Sequence, residues 1–147
     1  MWSPVTRLLV CIAFCSCIIM IAAGNDASAG DGIGDPKAWC AEVTKKLASG
    51  DADAVASMLE DGSRGAMQAA DVRVEFSMVL SEIRKAKPVS ATAFLTEKSY
   101  EGVLRSEWFM IVLDRAPYYV RCNLINYDGA WQFADLDLKP KPSDVGL

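Results

Sequence analysis

Between Asp35 and Ala86 apolar residues recur every three or four positions, and from Val89 onward they alternate or run together. The first pattern is that of amphipathic helices and the second that of strands. Asp35-Pro36 supplies an N-cap and a first-turn proline, and Trp39, Val43 and Leu47 follow at spacing four with Cys40 beside them. Gly50 stands where a left-handed cap would end this helix, and Asp51 can cap the next, whose stripe is Val55, Met58 and Leu59 before Gly62. A third helix is predicted from about Ala66 to Ala86. Val72, Phe76, Val79 and Ile83 share one arc of it, and Met67, Val74 and Met78 form a second stripe. Two stripes imply packing on two sides.

Pro88 closes the helical half. Strands are predicted over Val89–Lys98, Val103–Leu113, Tyr118–Asn126 and Ala130–Leu138. The turn signals between them are Glu101-Gly102, Asp114 to Pro117 and Asp128-Gly129. The last is the strongest, because a type I′ turn needs positive φ at both central positions. Short connections make neighbouring strands antiparallel. The expected fold is α+β: three N-terminal helices packed on a curled four-stranded antiparallel meander.

The run LASGDADAVASML, Leu47 to Leu59, resembles the first helical turn-around of the nuclear transport factor 2-like superfamily. So does the last hairpin, which ends in Gly129-Ala130-Trp131. The resemblance covers the order of elements from Asp35 to Leu138. It implies a cone-like fold, a curled sheet wrapped around helices and often enclosing a pocket. The chain departs from the usual pattern in showing no strand pair between the second and third helices. It looks closer to the secreted, functionally uncharacterised branches of the superfamily than to its enzymes. No motif carries over the catalytic residues of ketosteroid isomerase or scytalone dehydratase.

The segment before this domain reads as a targeting signal. Arg7 precedes an apolar run from Leu8 to Ala23 broken only by Ser16, and the small triplet Ala27-Ser28-Ala29 follows. This is the order of a secretory signal peptide, residues 1–29, cleaved after Ala29. The run is short of the about 20 residues a membrane span needs, so the membrane is expected to be met only through this signal. Residues 30–34 form a flexible leader, residues 35–138 a single domain and residues 139–147 a loose tail with Pro140 and Pro142. The mature chain is expected to be secreted or periplasmic.

Cleavage removes Cys11, Cys15 and Cys17 and leaves Cys40 and Cys122. In an oxidising compartment these could form a disulfide, with Cys40 on the first helix facing the sheet and Cys122 on the third strand facing the helices. Two buried thiols would satisfy the same pattern. The net charge of −4 argues against nucleic acid as a partner. The chain has no histidine, which excludes His-based triads and most zinc sites. No motif calls for a cofactor or a metal. Acid–base chemistry would fall to carboxylates, Tyr or Lys.

Two carboxylates are candidates. With Asp128-Gly129 as a two-residue loop, position 126 pairs with 131, 124 with 133 and 122 with 135. Asp135 would then share the core face of Trp131 and Phe133, opposite Cys122. It would mark either a ligand site or the open end of the core. Glu75 lies between the two stripes of the third helix and is expected to be partly buried. Trp39, Phe76, Trp131 and Phe133, with Phe109, would line a pocket or fill the core. In Trp108 to Leu113 both strand faces are apolar, so the strand is covered on both sides or presents an outer face suited to a homodimer. The reading that follows is a non-enzymatic binding module for a small apolar ligand or a partner protein. The alternative is a small hydrolase or isomerase with Asp135 or Glu75 as general base.

Overall fold

A computed structural model describes residues 32–86, 91–114 and 116–147. The signal segment, Pro88 as helix stop and Val89 as strand start lie outside the described residues. Three helices, α1 (Pro36–Ser49), α2 (Ala52–Gly62) and α3 (Ala69–Lys85), precede four strands, β1 (Ala91–Tyr100), β2 (Leu104–Val112), β3 (Tyr118–Tyr127) and β4 (Ala130–Lys139). The strands form one antiparallel sheet in the order β1-β2-β3-β4. A short 3-10 helix, Pro142–Val145, ends the chain.

The helix ends follow the local chemistry. The Asp35 side chain accepts from the Ala38 N–H at 3.1 Å, and the Asp51 side chain accepts from the Ala54 N–H at 3.0 Å. Gly50 closes α1 at φ 72°. α3 begins three residues later than its periodicity implies. Arg64 and Gly65 take positive φ, and Ser63 Oγ accepts from the Met67 N–H, so the chain up to Met67 is spent on a turn. Asp128 and Gly129 both have positive φ and leave Tyr127 paired with Ala130, the two-residue loop the Asp-Gly dipeptide demands.

The core lies between the helices and one face of the sheet. Cys40, Val43 and Leu47 of α1, Val55 and Leu59 of α2, and Val72, Phe76, Leu80 and Ile83 of α3 meet Phe109, Ile111, Val120, Cys122, Leu124, Phe133, Leu136 and Leu138. The two cysteines form a disulfide, their Cα atoms 6.1 Å apart. It joins α1 to the sheet's inner face.

Four expectations are corrected. α3 is packed on one side only: Val74 and Met78 are 76% and 75% exposed, because its neighbours α1 and α2 lie against the other stripe. Glu75, between the stripes, is exposed for the same reason. The tail is docked, with Val145 fully buried on the sheet's outer face. Trp108 Nε1 donates to the Val145 carbonyl at 2.7 Å and the Trp108 side chain is left 3% exposed. The doubly apolar strand is therefore covered on its outer side by its own chain.

The fourth correction concerns Asp135. The hairpin register begins as expected, Asn126 with Trp131 and Leu124 with Phe133, but the next pair is Asn123 with Asp135. Ala134 is an extra residue, a β-bulge that reverses the alternation. Leu136 now faces the core opposite Cys122, and Asp135 is exposed on the other face.

Candidate binding groove on the outer sheet face

The bulge completes a polar row. Lys98 pairs with Ser106, Ser106 with Asn123 and Asn123 with Asp135, so four polar side chains lie in line across all four strands on the face away from the helices. Strands lie about 4.8 Å apart, which sets the spacing along the row. Ser106 Oγ donates to Asn123 Oδ1 at 2.7 Å, and Asn123 Nδ2 donates to Asp135 Oδ2 at 3.4 Å. The chain of donors runs one way and ends on a carboxylate.

The row floors a groove of about 430 Å³ lined also by Tyr100, Leu104, Trp108, Arg121 and Gly146. That volume is in the range of small-molecule sites. Arg121 pairs with Asp137 on β4, and its Nε is buried without a hydrogen-bond partner. Lys98 Nζ stands 5.3 Å from the centre of the Trp108 ring, a cation–π contact that leans the ammonium over the floor. Gly146 brings the docked tail in as one wall. A second hollow, lined by Ser99, Tyr100, Glu101, Val103 and Leu104, shares Tyr100 and Leu104 with the first. Of these two shared residues Tyr100 is the exposed one.

The sequence-derived candidates do not converge. Trp39, Phe76 and Phe133 belong to the core or pack against it, with the Trp39 and Phe133 ring centres 5.5 Å apart. Trp131 is half-buried at the core edge, where its carbonyl accepts from the Ile33 N–H at 2.7 Å. A side chain at Gly62 would strike the Trp39 ring, which shows how tightly this end is filled. Asp135 alone of the candidates lines a described cavity, and it does so on the face opposite to the one its spacing predicts.

A buried carboxylate does exist, and sequence reasoning missed it. Glu107 sits on the core face of β2, paired across strands with Cys122 and fully buried. Arg105 Nε donates to Glu107 Oε1 at 2.5 Å, while Oε2 has no partner. Arg105 also binds Glu97, which meets Lys37 of α1 at 3.9 Å. Burial raises the Glu107 pKa, and the Arg105 guanidinium opposes that rise. The signal was present: Arg105, Glu107, Phe109 and Ile111 share one parity, so the strand that places two apolar residues in the core also places an Arg–Glu pair there. Glu107 lines none of the cavities described here.

A further hollow of about 440 Å³ lies at the end of α3, between Glu82, Lys85, Leu113, Asp114 and Tyr118. Tyr118 Oη donates to Glu82 Oε2 at 2.6 Å, and this bond with burial pushes the phenol up to about 12. It has no comparable row of polar groups.

No protein-family model matches the chain, and no characterised protein matches it closely enough to count as a relative.

Proposed function

We propose that the mature chain works outside the cytoplasm as a non-enzymatic binding module, and that its ligand is held on the outer face of the sheet. One observation carries this reading: the Lys98–Ser106–Asn123–Asp135 row opens into a groove, while Trp39, Phe76, Phe109 and Phe133 on the inner side are taken up in core packing. The buried disulfide supports an oxidising compartment. Membership of the nuclear transport factor 2-like superfamily is part of the same reading and rests on the order of elements and the Gly-x-Trp hairpin.

Catalysis is the weaker alternative. Asp135 and Glu75 lie on different sides of the sheet, so neither supplies a partner to the other. The test is amide NMR of the mature domain, titrated with soluble saccharides and with short peptides. Shifts gathered on Lys98, Ser106, Asn123 and Asp135 are expected. Shifts confined to core residues such as Phe76 and Phe133 would overturn the placement.

A further inference from the structure

Resting on that groove, the chemistry of its walls narrows the ligand class. We infer that the site takes a neutral saccharide spanning more than one sugar ring. The charges of the groove offset one another: Lys98 stands at one end of the row and Asp135 at the other, and Arg121 is paired with Asp137. A strongly charged ligand finds no excess of opposite charge here. The floor instead offers the Asn123 amide and the Asp135 carboxylate in fixed order, with the buried Ser106 hydroxyl beneath holding the amide in place. An amide that donates and accepts beside a carboxylate that accepts matches adjacent sugar hydroxyls, which donate and accept at once.

The wall adds the second element of sugar recognition. Tyr100 is 52% exposed and lines both hollows. Its ring offers an apolar face to the C–H side of a sugar while the row engages the hydroxyls. Val103, 57% exposed, and Leu104 extend this apolar surface into the second hollow, so a ligand of more than one ring can reach both.

The geometry disfavours the main competitor. An extended peptide gains affinity by adding a strand at a sheet edge, where backbone donors and acceptors are unpaired. The unpaired backbone lies along the outer sides of β1 and β4, the two edge strands, whereas the row runs across the strands through side chains of one face, so a ligand lying on the row meets no ladder.

The experiment is calorimetric titration and amide NMR of the disulfide-bonded mature domain with soluble gluco-, chito- and xylo-oligosaccharides. Short peptides of mixed sequence serve as the comparison. Saccharide binding is expected to shift the signals of Ser106, Asn123 and Asp135. It should weaken about tenfold or more in Tyr100→Ala and in Asp135→Asn and persist in Tyr100→Phe, which keeps the ring. Peptides binding on the row while every saccharide fails would overturn the sugar assignment and leave the groove standing. Absence of binding by both classes, or shifts away from the row, would overturn the sugar assignment and the groove reading together.

Discussion

β3 carries two different surfaces on one backbone. Toward the helices it presents Val120, Cys122 and Leu124, all fully buried, with Cys122 tied to Cys40. Toward the other side it presents Arg121 and Asn123, both partly exposed and both bonded to side chains of β4. The inner surface is closed by α1, α2 and α3. The outer surface is divided, half covered by the tail at Trp108 and half left open as the polar row. The contrast is one of access: Glu107, fully buried, belongs to the inner face, whereas Lys98 and Asp135 at the two ends of the outer row are exposed and Asn123 between them is half-buried.

The comparison is broken most severely by cutting the bridge that anchors the inner face. The disulfide joins residues 82 apart, for which loop-closure entropy gives about 4 to 5 kcal/mol. Cys40→Ala combined with Cys122→Ala is expected to lower stability by that order in chemical denaturation, with outer-face hydrogen bonds unaltered in whatever fraction stays folded. Loss below about 1 kcal/mol would show that the denatured state is not constrained as supposed.

Next in size is the Arg105–Glu107 pair. Arg105→Ala leaves a buried carboxylate without its cation and should cost about 3 kcal/mol at neutral pH. Glu107→Gln should be neutral or stabilising there. The folded pKa of Glu107 lies above its unfolded value, so the native state holds more protons in the window between the two. This group's contribution to stability is therefore fully present below the unfolded value and is lost as pH rises through the folded one. Melting curves taken from pH 4 to pH 8 should fall less steeply over that window for Glu107→Gln than for the parent.

Removing residues 142–147 strips Val145 and the acceptor of the Trp108 indole from the outer face. A loss of about 2 to 3 kcal/mol is expected, with tryptophan emission shifted to the red as Trp108 meets water. An unshifted spectrum would mean that the tail does not cover this half. The smallest effect belongs to the open half. Asp135→Asn is expected to change stability by no more than about 0.5 kcal/mol at pH 7, as for a surface substitution.

The legible parts of the fold were those written in local chemistry. Asp35, Gly50 and Asp51 mark helix ends by capping, and Asp128-Gly129 fixes a turn by its need for positive φ. The bulge at Ala134 was also written in the chain, as a change of phase. Trp131 and Phe133 occupy odd positions, whereas Leu136 and Leu138 occupy even ones, and one extra residue lets all four share a face. Taking the turn as the sole determinant of register carried Asp135 to the wrong side. The tail was harder to read. Pro140 and Pro142 disfavour regular structure, and only the outward apolar positions of β2 showed that something had to cover them. The groove was not legible, since it depends on four residues brought level by three separate strand registers.

The division between a structural inner face and an accessible outer row is tested most directly by carboxyl footprinting of the native protein. A water-soluble carbodiimide and an amine label are applied at near-neutral pH and the sites are read by mass spectrometry. Asp135 is predicted to be labelled in the folded, disulfide-bonded domain, while Glu107 is protected until the protein is unfolded. Protection of Asp135 together with native-state labelling of Glu107 would contradict the bulge, the register after it and the placement of the groove.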